Sequence, residues 1–342
     1  MDTMTECANS EPPGPGQVPW VSILVPTYNQ NLEHLRECVE SCLAQTYPHI
    51  EVVVSDNHST NGAGDYLRGI GDPRLRVVSP ERFCTMNENF AFCASCARGE
   101  LISFLSSDDV LLPTAITMLV DVLRDHPQAV FAAGNIFHAR ELPADLCDPS
   151  LIRPGSLARK VYGGQAARDF FFPWTLASTW MAGDLIRRSA YEATGGLAAC
   201  DLEVAGDVWL TDQLLARGGF AYVPAPTALF RSRAPGHDEV DPDRRIADFI
   251  DKLHIDQNYG GGAMGRTVID RLKQNVILVR RLGADRRSSR AIKEKACAVF
   301  ARYGRRDLML CVSVSLRAPV LVRWVSRVLG ATVLRGDHAS GS

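Results

Sequence analysis

Two adjacent carboxylates are the first residues in this chain that call for a chemical explanation. Asp108 and Asp109 follow the apolar run Leu101–Leu105, so they stand where a buried strand ends. Like charges placed there repel unless a cation or hydrogen bonds offset them. Mg2+ or Mn2+, held by one or two carboxylates plus substrate phosphates, is one solution. An Asp-rich turn that caps the next helix is the other. Asp56 and Asn57 occupy the matching place after Glu51–Val54, and Thr27-Tyr28-Asn29 the matching place after Val21–Pro26. Three strand ends with polar clusters at equivalent positions describe one site better than three unrelated turns.

The elements that must carry these residues are legible in the periodicity. VSILV at Val21–Val25 and EVVV at Glu51–Val54 are continuous β-branched runs, as in strands buried on both faces. Leu75–Val78, Leu101–Leu105 and Val130–Ala133 read as further strands. Leu32, Leu35, Val39 and Leu43 recur at helical spacing behind Asn31, a cap residue. Asn87–Arg98 and a segment opened by Pro113 are also expected to be helical. Asp207–Arg217 is expected to be a helix and Phe220–Val223 a short strand. The alternation predicts an α/β fold with a doubly wound, mostly parallel sheet, whose ligands bind beyond the carboxyl ends of the strands. No G-x-G-x-x-G follows the first strand and there is no P-loop lysine, which argues against a dinucleotide dehydrogenase and a P-loop NTPase.

Composition sets the remaining bounds. Ten cysteines in 342 residues, without an export signal, are expected to be reduced and buried, including Cys38, Cys42 and the Cys93/Cys96 pair. The longest mostly apolar stretch, Leu308–Leu316, falls short of the about 20 residues that a spanning helix needs. Met1–Pro19 is acidic and rich in Pro and Gly; a disordered leader, 1–19, is expected there. The formal net charge of −2 conceals an asymmetry. Residues 1–265 hold 20 Lys+Arg and 34 Asp+Glu, whereas residues 266–342 hold 17 and 5. A second region, 261–342, is therefore expected to be basic and helical, beginning after the hinge Gly260-Gly261-Gly262. Its last helix places Arg317, Arg323 and Arg327 beside Leu321, Trp324 and Leu329, a pattern suited to an anionic membrane surface. Phe170–Trp174 and Trp180 concentrate aromatics, either as core or as a platform for a sugar.

With these residues in place, the chain resembles the family-2 glycosyltransferases of GT-A fold. The matching blocks are Val21–Asn29, Glu51–Thr60, Asn87–Phe90 leading into Ala97–Asp109, Arg187–Tyr191 with Gly195-Gly196, and Gly206–Leu210 followed by Gly218 and Phe230-Arg231. The resemblance covers about residues 20–235 and implies a GT-A domain over 20–260. It implies that Pro26, Thr27, Tyr28, Asn29, Asp56 and Asn57 contact the nucleotide of a nucleotide-diphosphate sugar. It places Asp108 near ribose and metal, and gives Asp109 the divalent ion, Mg2+ or Mn2+, on the diphosphate. His237 stands where some relatives carry a metal or phosphate ligand. Asp207 would be the general base that takes a proton from an acceptor hydroxyl, and transfer would invert configuration.

Ser106 stands where the family often has a further Asp, and Asn57 where it often has a second Asp. The implied partners are a nucleotide-diphosphate sugar, a UDP-sugar foremost, and a sugar or lipid-linked acceptor, with no nucleic acid. The implied place is the cytoplasm, on or near the inner face of the membrane. A nucleotidyltransferase lacks a Gly-rich, Lys- or Arg-bearing first loop here. A GT-A protein that binds nucleotide without turnover stays open as an alternative.

Overall fold

Strand β1 (Val21–Thr27) is buried along its whole length, as its unbroken apolar run requires. It lies between β2 (Ile50–Asp56) and β4 (Leu101–Phe104), parallel to both, and β3 (Leu75–Val78) extends this parallel half from β2. The computed structural model describes residues 18–139, 160–162, 182–200 and 206–231. Among these, nine strands form one mixed sheet in the order β3-β2-β1-β4-β8-β6-β9-β5. In it, β5 is Val110–Leu111, β6 Ala129–Ala139, β8 Leu185–Arg187 and β9 Gly219–Arg231. β7 (Lys160–Tyr162) pairs with β9 outside this path. The short β8 runs antiparallel to both its neighbours, β4 and β6, while β6 and β9 are parallel.

Alternation along β1 divides the core. Val21, Ile23 and Val25 face α1 (Leu32–Leu43), α2 (Ala63–Arg68) and α4 (Ala115–Asp125) through Leu35, Val39, Leu67, Ile116 and Leu119. Leu24, with Val53, Ile102 and Phe104, faces α3 (Met86–Ser95), α5 (Arg188–Ala193) and α6 (Gly206–Leu215). A fully buried side chain of this size contributes about 1.5–3 kcal/mol, so a one-residue slip of β1 would exchange both layers at once. The α1 helix starts as its sequence predicts, with Asn31 Oδ1 accepting from the backbone N–H groups of Glu33 and His34. Thr85 and Glu88 form a reciprocal capping box on α3.

Three differences from the sequence expectations have physical reasons. The expected strand at Val130–Ala133 is an 11-residue strand, and the expected Phe220–Val223 a 13-residue one, because the two pair with each other across β-bulges that absorb their irregular register. β8 has only three residues and carries no periodicity of its own; it exists because β4 and β6 both bond to it. The strand before the two aspartates stops at Phe104, since Leu105 already bends into the turn while donating to the Leu24 carbonyl. Cys38, Cys42 and Cys93 are buried free thiols, as expected, Cys96 is buried too, and burial pushes Cys93 up. Among the described residues no helix is long and apolar enough to cross a membrane. Residues 1–17 of the expected leader, the aromatic cluster at 170–180 and the basic region at 261–342 lie outside the described residues.

Candidate active site

The carboxyl ends of β1, β2 and β4 lie side by side because those strands are parallel and in register, with Thr27 opposite Asp56. Pro26 and Thr27 are the last residues of β1 and are buried, and the Thr27 hydroxyl has no hydrogen-bond partner. Tyr28 and Asn29 emerge from the edge and are exposed. Asn29 and His58, just past the ends of β1 and β2, both have positive φ, 47° and 59°. Such backbone is rare outside glycine and tends to collect at functional sites. The two loops brace one another: Asn29 N–H donates to Ser59 Oγ at 2.8 Å, and Asn29 Oδ1 accepts from Thr60 N–H at 2.8 Å.

Asp56 is buried to 6 % exposure and its Oδ1 accepts from the Ser59 N–H at 3.0 Å. Its neighbour is engaged otherwise. Asn57 Nδ2 donates to the Cys84 carbonyl at 2.8 Å, and its Oδ1 accepts from the Cys84 N–H at 3.0 Å. Both ends of that amide therefore hold the loop between β3 and α3, which explains why an amide suits this position. The pinned loop presents Phe83, which meets Tyr28 edge to face at 4.9 Å between ring centroids. Both rings are half exposed, at 56 % and 50 %. Phe83 escaped sequence reasoning because nothing in the sequence links position 83 to position 28.

Asp108 and Asp109 have unlike surroundings. Asp108 is half-buried, whereas Asp109 is 1 % exposed. Asp109 Oδ1 accepts from the Arg231 N–H at 2.9 Å and Oδ2 is buried with no hydrogen-bond partner. Burial, and then the Asp108 charge, raise the Asp109 carboxyl to about 7, against the opposing pull of Arg231. The turn itself is tied to the loop between β1 and α1 by Gln30 Nε2 donating to Ser107 Oγ at 3.3 Å, and to α1 by Cys38 Sγ donating to the Ser106 carbonyl at 3.5 Å. Among the described residues no cluster of three or more His, Cys, Asp and Glu could hold a metal. A half-buried Asp108 beside a buried, partnerless carboxylate oxygen nevertheless suits a cation whose other ligands are substrate phosphates. Asp108 is the more accessible of the two carboxylates and Asp109 the buried one.

Asp207 reaches the same edge from another element. It is in the first turn of α6 and is half-buried. The preceding Gly206 packs so tightly on α3 that a Cβ there would come within 2.6 Å of Asn87 Oδ1. Asn87 is in the first turn of α3, which begins after the carboxyl end of β3. A missing side chain thus brings the start of α6, and Asp207 with it, to the end of the sheet where Asp56 and Asp108 stand. Thr211 Oγ1 donates to the Asp207 carbonyl at 2.9 Å. His237 lies outside the described residues.

The sequence profile of glycosyl transferase family 2 matches residues 22–194, half of the chain. The chain belongs to glycosyltransferase family 2. It is 32% identical over 123 residues to glycosyltransferase GlyG of Streptococcus pneumoniae, covering 35% of this chain and 40% of that protein. It is 35% identical over 118 residues to the UDP-Glc:alpha-D-GlcNAc-diphosphoundecaprenol beta-1,3-glucosyltransferase WfaP of Escherichia coli, covering 34% and 46%. An uncharacterized Sinorhizobium fredii protein, y4gI, is 38% identical over 114 residues, covering 32% of this chain and 12% of that one. The chain thus spans less than half the length of these relatives. S. aureus TarS 1–349 in complex with UDP-GlcNAc superimposes with a TM-score of 0.52 at 16% identity, over 87% of this chain and 91% of that one. Its complex with UDP gives 0.51 at 15%. At such identity the likeness establishes the fold, which is GT-A.

Proposed function

We propose that this family-2 glycosyltransferase moves a sugar from a UDP-sugar to an acceptor hydroxyl on a polysaccharide or lipid-linked precursor, with inversion at the anomeric carbon. The observation that carries the reading is the convergence of Asp56, Asp108 and Asp207, from β2, the turn after β4 and α6, on one edge of the sheet. Tyr28 and Phe83 offer ring faces to the base, and Asp56 accepts from its polar edge or the ribose. Asp207 takes the proton of the acceptor hydroxyl. The acceptor oxygen forms a bond to the anomeric carbon as the bond from that carbon to the β-phosphate oxygen breaks, and the electron pair leaves with the nucleoside diphosphate. A bound Mg2+ or Mn2+, held by Asp108 with Asp109 behind it and His237 as a further candidate ligand, would stabilise that leaving charge.

The chemistry belongs to a catalytic domain over 20–260, with 261–342 as a basic helical region that holds the enzyme against anionic lipid on the cytoplasmic face. One relative, named for UDP-Glc and a diphosphoundecaprenol acceptor, supports the donor and acceptor classes. A thermal-shift panel of UDP, GDP, TDP and CDP, with and without Mn2+, tests it. A Mn2+-dependent rise for UDP, lost in Asp108→Ala, is expected from mass action. A rise for none of the four in wild type refutes donor binding.

A further inference from the structure

The turn bearing Asp108 and Asp109 is gripped by Arg231, whose ion-pair partner, Glu37, lies in none of the matching sequence blocks. Arg231, at the end of β9, is 6 % exposed. Its N–H donates to Asp109 Oδ1 and its Nε to the Asp108 carbonyl, both at 2.9 Å. Its Nη2 donates to the Glu37 carboxylate on α1, an ion pair across 194 residues of sequence. The Glu37 side chain is 29% exposed. One guanidinium therefore joins α1, which follows the nucleotide loop of β1, to the aspartate turn and to the end of β9.

Charge makes the arrangement more than a brace. A guanidinium this close to the turn repels any cation held there, by an amount worth on the order of tenfold or more in affinity at the effective dielectric of a partly buried site. Glu37 offsets that charge, so that the turn keeps the negative charge of Asp108 and Asp109. We propose that Glu37 is a positioning residue of this site: through Arg231 it fixes the aspartate turn and preserves its affinity for a divalent cation. The inference rests on the reading of Asp108 as the cation-facing carboxylate.

The test uses the full chain with Glu37→Gln, which keeps size and acceptor geometry, and with the double variant Glu37→Gln/Arg231→Gln. Mn2+ with UDP is the probe, bound Mn2+ being read by electron paramagnetic resonance, and hydrogen–deuterium exchange follows the amides at 105–111 in the ligand-free protein. Glu37→Gln is expected to weaken Mn2+ binding roughly tenfold and to speed exchange at 105–111. The double variant is expected to bind Mn2+ more tightly than the single one, because the unopposed positive charge is gone. A brace without an electrostatic role predicts further loss in the double variant. Wild-type exchange at 105–111 in Glu37→Gln, or a double variant no tighter than the single, overturns the proposal. Failure of wild type to bind Mn2+ and UDP at all refutes the donor site instead, while exchange still decides whether Glu37 fixes the turn.

Discussion

Replacing Asp109 by Asn isolates the energy stored in one buried carboxylate. In the ligand-free protein its carboxyl is raised from 3.8 to about 7. A group whose pKa is higher in the folded state binds its proton more tightly there, so stability falls as pH rises from about 4 to about 7 and levels off beyond. Each unit is worth about 1.36 kcal/mol, which puts the penalty near 4 kcal/mol above pH 7. Between pH 5 and pH 8 the change is about 2–3 kcal/mol. Asn keeps an oxygen to accept from the Arg231 N–H and has no charge to desolvate. Asp109→Asn should therefore gain stability relative to wild type as pH is raised from 5 to 8, by about 5–10 °C in melting temperature for a domain of this size. Calorimetry at both pH values, without divalent ions, measures it. Other titrating groups are common to both proteins and cancel in the difference. Parallel profiles for wild type and variant would refute the claim that burial of Asp109 outweighs the compensation from Arg231. The same variant decides the order of the two aspartates: Mn2+-dependent binding of UDP survives if Asp108 carries the ion and fails if Asp109 does.

Further outcomes follow from the site. Asp207→Asn should retain nucleotide binding and lose transfer by ~10²-fold or more, read as single-turnover transfer beside a UDP titration; full activity would remove Asp207 from the mechanism. Asn57→Ala breaks two hydrogen bonds to Cys84. It should lower stability by about 1–3 kcal/mol and weaken UDP binding by loosening Phe83, and unchanged affinity by calorimetry would detach that loop from the base site. Asp184 is 7 % exposed, its Oδ1 has no hydrogen-bond partner, and burial alone raises its pKa well above the carboxylate range. The sign matches Asp109: Asp184→Asn should stabilise the protein by about 1–3 kcal/mol at pH 8 and less at pH 5, and denaturant unfolding at the two pH values would show it.

Much of this protein is determined along its own chain. The continuous apolar runs at Val21–Val25 and Glu51–Val54 dictate central parallel strands, because only a strand covered on both faces can be apolar at every position. Asn31 and Thr85 set helix starts by local hydrogen bonds that any neighbouring fold would allow. The polar clusters at three strand ends mark the site edge, since parallel strands in register must end together. Other features belong to the tertiary structure alone. The three residues of β8 become a strand only between β4 and β6, and the long pairing of β6 with β9 arises from their proximity rather than from periodicity. Asp108 and Asp109 are chemically identical neighbours in sequence, and what separates them is that one side chain faces inward to the Arg231 amide, with a carboxylate oxygen left unpartnered. Nothing in the sequence shows that Asn57 bonds to Cys84, and Glu37 reads as an ordinary helix-surface charge until Arg231 arrives from the other end of the domain. Periodicity reports which face of an element is buried. Desolvation and charge pairing depend on which atoms meet, and only the folded chain brings those together.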